Sequence, residues 1–201
     1  MSAAPLVLAS RSPQRRAILE SLGVEFVVRV PEFAEREAGA AGTVARANAL
    51  GKARAVPRAA GEVVLGVDTV VSLGGRLWGK PRAEHEARAM LEALSASTHT
   101  VISGLALVGR GEPRVAAAAT AVTFRALDRA TIDWYLAGGE WRERAGGYAI
   151  QAAGCALVAR IDGDWTNVVG LPVAALLALA PGILSRCNDG AGTQDNRQSQ
   201  G

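Results

Sequence analysis

The chain has 201 residues, 49% of them apolar, and a formal net charge of +3. That composition suits one domain with a sizeable core, is too apolar for a disordered chain, and is too weakly basic to imply nucleic acid. Cys155 and Cys187 lie far apart without metal-ligand spacing, which argues against a disulfide framework or zinc site and for reduced thiols in a cytoplasmic protein.

The first element is the buried strand "PLVLA" (5–9). Ser12 then caps a helix that begins at Pro13, buries Ile18, Leu19 and Leu22, and stops at Gly23. No secretory leader is expected, since the apolar run 4–9 is short and meets Arg11 at once. "VEFVVRV" (24–30) alternates as a strand, "PEFAEREAGAAG" (31–42) reads as a polar loop, and Thr43 is placed to cap an alanine-rich helix over about 44–56. "EVVLGVDTVVSLGGRLWGKP" (62–81) reads as a buried strand interrupted at Asp68, then a hairpin turning at Gly74-Gly75. A helix over 83–94 presents Ala83, Ala87, Met90, Leu91 and Leu94 on one face. The β-type runs 99–109 and 114–127 pair antiparallel across a turn at Glu112-Pro113. Asp128 caps a helix to Leu136, a glycine-rich stretch leads to a strand over 155–163, and a helix over 172–180 closes the fold. The apolar run 173–184 is too short for a bilayer and is broken at Pro181-Gly182, so no membrane partner is expected. The expectation is a single α/β domain with a mixed sheet over 1–186 and a disordered tail over 187–201.

Three clusters are candidates for chemistry. In "LASRSPQRRAIL" (8–19), Ser10, Ser12 and Arg15 fall where a strand gives way to a helix, a junction of free N–H groups and positive dipole. Arg15 adds bidentate geometry for phosphate, while a capped helix with solvated Arg11, Arg15 and Arg16 is the plainer account. Asp68 sits in an otherwise apolar strand, where a lone carboxylate is costly, and Lys80 is held in a turn between Gly79 and Pro81. An acid and a lysine joined by a hairpin suit metal-assisted phosphate chemistry, or a structural ion pair. In "ERAGGYAIQAAG" (143–154), paired glycines let backbone approach a ligand and Gln151 offers a two-sided amide to a base edge; a plain loop is the alternative. Glu35 and Lys52 by themselves read as solvated surface charges. His85 and His99 lack recognisable partners, and no nucleophile elbow or Cys-His pairing supports acyl transfer. Trp78, Trp134, Trp141 and Trp165 form no stacking stripe and read as core or interface residues.

Taken in order, "LVLASRSPQRRAILESLGVEF", Glu35, "KARAV" (52–56), "LGVDTVV", "GKP", "HTVISGLAL", "AGGYAIQ" and "DGDWTNVVGLP" resemble the Maf family of nucleoside triphosphate pyrophosphatases over about residues 5–180. The resemblance implies a mixed, twisted sheet flanked by helices with a two-lobed cleft, related to the inosine triphosphate pyrophosphatases, and frequent homodimerisation. It implies hydrolysis of the α–β phosphoanhydride to a monophosphate and pyrophosphate, with Mg²⁺ or Mn²⁺. By resemblance, Asp68 is the general base, Glu35 and Asp68 hold the metal, and Ser10, Arg15, Lys52 and Lys80 bind phosphate.

The positions that separate branches of this family fall at Gln14, Thr69 and Gln151. Thr69 and Gln151 resemble the branch acting on dTTP and UTP. That branch usually has arginine where this chain has Gln14, and the branch acting on 7-methyl-GTP tends to have a large aromatic there. "AIQAAG" replaces the usual "GIQG", so methyls at Ala149 and Ala152 are expected to narrow the base pocket or shift Gln151. The resemblance therefore implies pyrimidine preference, including dTTP, UTP and modified pyrimidines. A 7-methyl-GTP preference and a catalytically silent nucleotide-binding regulator of cell division are the alternatives.

Overall fold

A computed structural model describes residues 6–184; the expected tail over 187–201, and Cys187 within it, lie outside the described residues. Three strands of eleven residues form the centre of one sheet: β3 (Val63–Leu73), β5 (Thr98–Val108) and β6 (Arg114–Phe124). They run antiparallel, with Asp68 opposite Gly104 and Thr69 opposite Ser103. β1 (Leu6–Ala9) adds to β3 in parallel and β2 (Phe26–Val28) adds to β1 in parallel. β4 (Arg76–Trp78) folds back on β3 through the Gly74-Gly75 turn, and β7 (Val158–Asp162) lines the far edge beside β6. The strand order is β2-β1-β3-β5-β6-β7, with β4 also on β3, so the mixed α/β sheet expected from the sequence is the fold.

The helices α1 (Pro13–Ser21), α2 (Ala41–Ala55), α3 (Glu84–Leu94), α4 (Arg129–Ala137), α5 (Trp165–Val169) and α6 (Val173–Leu179) flank this sheet. On one face, Leu8, Leu65, Val67 and Leu105 bury against Leu19 of α1 and Leu176 of α6. On the other, Val7, Ala9, Val64 and Ala106 bury against Ala49 and Ala53 of α2. At the far end, Val71, Val101, Val122 and Phe124 pack with Leu91 and Leu94 of α3 and Ile132 and Tyr135 of α4. Each fully buried large apolar side chain contributes roughly 1.5–3 kcal/mol.

Two glycines set how closely α2 lies on the sheet. A Cβ on Gly66 of β3 would overlap the Ala49 carbonyl oxygen, and one on Gly104 of β5 would overlap that of Ala45. The alanines at 45, 49 and 53 complete a backbone-close contact, which carries the polar residues of the same helix face down to the strand.

Several boundaries differ from the sequence expectation. The strand expected over 24–30 is only Phe26–Val28. Thr43 lies inside α2, whose N-cap is Ala40. Ser12 occupies the N-cap position of α1, yet its hydroxyl bonds the Gln14 side chain and its N–H donates to Ser10 Oγ at 3.1 Å. Asp68 does not interrupt β3, because its backbone keeps the β5 register and its side chain finds partners outside the sheet. β6 ends at Phe124, and residues 155–157 belong to a 3-10 turn (Ala153–Leu157), not to β7. α5 was not expected; Asp164 caps it by accepting from Thr166 N–H at 2.8 Å. Trp78 and Trp141 are buried, whereas Trp134 and Trp165 are about half exposed. Among the described residues no helix is long and apolar enough to cross a membrane.

Candidate active site

The site arises from how β3 is paired. One edge of β3 is covered by β5. On the other edge, β1 pairs with residues 63–66 and β4 with residues 71–73, so neither strand covers residues 67–70 between them. The chain leaves β1 at Ser10 on one side of this opening and leaves β4 toward Gly79 and Lys80 on the other. A cleft of about 1110 Å³ opens there, and Ser10, Gln14, Arg15, Glu35, Lys52, Asp68, Thr69, Lys80 and Gln151 all line it. All nine residues singled out from the sequence are thus brought to one cavity.

Side chains alternate along a strand, so Asp68 points to the α2 side, like Gly66, and Thr69 points to the α1 side. Asp68 is 3% exposed. Lys52 Nζ donates to Asp68 Oδ1 at 2.5 Å and pairs with Glu35 Oε1 at 2.7 Å. Asn48, one helical turn before Lys52, donates from Nδ2 to Asp68 Oδ2 at 2.9 Å. The same amide grips the loop that carries Glu35: Oδ1 accepts from Arg36 N–H at 2.8 Å and Nδ2 donates to Arg36 O at 3.1 Å. A buried carboxylate is tolerated here because both of its oxygens are bonded and one partner is charged.

Glu35 and Lys52 are therefore not solvated surface charges: Lys52 is buried, and Glu35, though 41% exposed, is paired. The ion pair of Asp68 is with Lys52 on α2, not with Lys80 across the hairpin. Lys80 instead pairs with Glu143 at 3.4 Å at the cleft rim, where both side chains are exposed.

On the other side of β3, Arg15 is buried. Its Nε donates to Gly170 O at 2.9 Å, Nη1 to Ser10 Oγ at 3.1 Å and Nη2 to Thr69 Oγ1 at 3.1 Å. Thr69 Oγ1 also meets Ser103 Oγ at 2.9 Å. Burial pulls the Arg15 guanidinium below its usual range, opposed by the charges of Asp68 and Glu35. Of its neighbours in sequence, Arg11 lines the cleft and is exposed, while Arg16 pairs with Glu20 at 2.7 Å away from it.

The three base-reading candidates, Gln14, Thr69 and Gln151, share the cleft, with Gln151 exposed. Ala149 and Ala152 do not narrow it. Ala149 is buried behind the wall, its N–H donating to Tyr135 Oη at 2.9 Å, and Ala152 faces out; neither lines the cavity. Tyr148 lines it and is held from behind by His99 Nε2 at 2.8 Å. Burial pushes the Tyr148 hydroxyl up and the His99 imidazole down to about 4.

Sequence reading missed Asn48 and Arg144. Asn48 carried no signal of its own in an alanine-rich helix. Arg144 lies in the glycine-rich stretch 143–154, where the paired glycines and Gln151 carry the stronger local signal. It lines the cleft and donates from Nη1 to Gln14 Oε1 at 2.6 Å.

Among the described residues no group of three or more His, Cys, Asp or Glu side chains is arranged to cage a metal. Glu35 and Asp68 do converge on a single cation, the Lys52 ammonium. Two hard carboxylate donors in an open polar cleft fit a divalent ion that completes its shell with water and ligand phosphate oxygens.

Fold and site together define an α/β protein whose central cleft sets a buried carboxylate among lysine and arginine side chains, an arrangement suited to a polyanionic ligand. The profile described as Maf-like protein matches residues 5–181, and the chain belongs to the Maf family. It is 46% identical over 171 residues to a protein of Symbiobacterium thermophilum named dTTP/UTP pyrophosphatase, covering 84% of this chain and 88% of the relative. Proteins of the same name from Gloeobacter violaceus and Pyrococcus furiosus are 47% and 37% identical, each over 87% of this chain and 93% of the relative.

Proposed function

We propose that this protein is a cytoplasmic nucleoside triphosphate pyrophosphatase that prefers dTTP and UTP and uses Mg²⁺ or Mn²⁺. The relatives' names support the substrate class. The observation that carries the chemistry is Asp68, buried at the opening in β3 and gripped by Lys52 and Asn48, in one cleft with Ser10, Arg15 and Lys80.

Water attacks the α-phosphorus in line with the bridging oxygen to the β-phosphorus. A bond forms from the water oxygen to phosphorus, the bond to the bridging oxygen breaks, and its electron pair leaves with pyrophosphate. Asp68 orients the water and accepts its proton. Each Asp68 oxygen spends one acceptor direction on Lys52 or Asn48 and keeps another, which leaves one for the water and one for a divalent ion. Lys52 and Lys80 neutralise the triphosphate, joined by the two Arg15 N–H groups beyond the three already bonded to Gly170, Ser10 and Thr69. Glu35 and Asp68 would hold the divalent ion, which when bound withdraws charge from the phosphate oxygens. Gln14, Thr69 and Gln151 read the base.

Pyrophosphate release across canonical and modified triphosphates, with Mg²⁺ and with Mn²⁺, tests this. We expect dTTP and UTP to turn over fastest and Asp68→Asn to lower kcat by about 10²–10⁴-fold. Equal or faster turnover of 7-methyl-GTP overturns the base assignment. Tight nucleotide binding by the native protein without pyrophosphate release overturns the enzyme and favours a regulator.

A further inference from the structure

We propose that Arg144 is a positioning residue for substrate specificity: it locks the Gln14 carboxamide so that Gln14 serves the nucleobase only as a hydrogen-bond donor. An arginine carries donors alone, so the Gln14 atom set 2.6 Å from Arg144 Nη1 is the carbonyl oxygen. The Ser12 hydroxyl, at 3.2 Å, donates to that oxygen too. Two donors fill its two lone pairs, and the amide cannot turn over without placing N–H groups against a cation. What Gln14 has left is its Nε2 amine, which has no partner among the described residues.

The lock is built from the opposite wall of the cleft. Arg144 follows Glu143, a non-glycine residue at φ 58, and precedes Gly146 at φ 71, whose N–H donates to Gly79 O at 2.9 Å. Glu143 reaches Lys80 from the same turn. Arg144 thus ties the Gly79–Lys80 rim to the start of α1, 130 residues away in sequence. Its own Nε is buried without a partner among the described residues, a further donor held at this point. Donors suit the O2 and O4 carbonyls of uracil and thymine. On guanine they suit only O6 and N7 and face like donors at N1–H and the 2-amino group, so a guanine must present a different edge from the one a uracil or thymine presents.

This rests on the nucleoside triphosphate reading of the cleft, and the test separates the two. Steady-state kcat and KM are measured with UTP and GTP for the native protein, Arg144→Met, Gln14→Glu and the double variant. Gln14→Glu keeps an acceptor for Arg144 but removes the amine, so its unfolding midpoint should stay within error of native. We expect Arg144→Met and Gln14→Glu each to lower kcat/KM for UTP about tenfold, chiefly through KM, with less than a twofold change for GTP. The double variant should lose no more than the worse single one. An unchanged UTP-to-GTP ratio in Arg144→Met, an unchanged ratio in a stably folded Gln14→Glu, or losses that multiply would overturn the proposal. If the native protein releases no pyrophosphate at all, the function is wrong, and calorimetric binding of UMP against GMP decides the lock instead. A UMP preference that drops in Arg144→Met upholds it; an unchanged or absent preference overturns it.

Discussion

Replacing Lys52 with methionine keeps the length of the side chain and removes its charge. Asp68 then stays in the wall of the cleft, 3% exposed, without the ammonium now 2.5 Å away. Stripping one partner from a buried ion pair costs about 3–5 kcal/mol, because the remaining charge is desolvated and uncompensated. Here Asp68 keeps the Asn48 hydrogen bond at 2.9 Å and lies within the field of Arg15, which places the loss near the lower limit, about 3 kcal/mol. Glu35 loses the same ammonium, but at 41% exposure it rehydrates, adding less than about 1 kcal/mol. Asp68→Asn in the Lys52→Met background removes the stranded charge and should recover most of the loss. The double variant then falls within about 1 kcal/mol of Asp68→Asn alone, a coupling of roughly 3 kcal/mol across the cycle. Urea unfolding at pH 7, with the slope m unchanged among the four proteins, measures it. A loss below about 1 kcal/mol in Lys52→Met, or additive losses in the double variant, would refute the buried-pair account.

His99 gives a pH test. Its folded value of about 4 lies below the ordinary 6.5 because burial disfavours the imidazolium. Between those values the unfolded chain binds more protons, so this contribution is complete above about pH 6.5 and is lost as pH falls toward 4, up to about 3 kcal/mol. Urea midpoints from pH 7 to 4 should fall accordingly, and His99→Gln should flatten that slope; an equal slope in the variant removes His99 from the account. Gly104→Ala pushes a methyl against the Ala45 carbonyl, which must lift α2 from the sheet at a cost of about 1–3 kcal/mol. Because α2 carries Asn48 and Lys52 to Asp68, pyrophosphate release should fall with it. A Gly104→Ala protein with native midpoint and native activity would show that the close contact does not position the site.

The elements that read well from sequence are those whose signals are local. Asp128 accepts from Thr131 N–H as its cap position predicts, the Gly74-Gly75 turn joins β3 to β4, and the α3 stripe buries Ala87, Met90, Leu91 and Leu94. The errors are equally local in origin. A carboxylate in an apolar run looked like a break in β3, because its partners stand on a helix sixteen and twenty residues earlier. Lys52 and Glu35 looked like surface charges for the same reason: each has an unremarkable neighbourhood in sequence and a decisive one in space. Asp68 alone announced itself, since desolvation marks a charge among valines whatever pairs with it.

By itself the sequence determined the α/β class and the order of all the strands and helices but α5, because periodicity and caps are properties of contiguous chain; the ordered motifs carried the resemblance that pointed to the family and to the nine residues that meet in the cleft. The tertiary structure decided which charges pair. Asp68 takes Lys52 and not Lys80 because Gly66 and Gly104 let α2 settle onto the sheet beside it. It also decided where the cleft opens, in the stretch of β3 that β1 stops short of and β4 begins beyond, and that Gln14 answers to Arg144. Those outcomes depend on strand register and backbone approach between distant segments, which no local stretch of residues encodes.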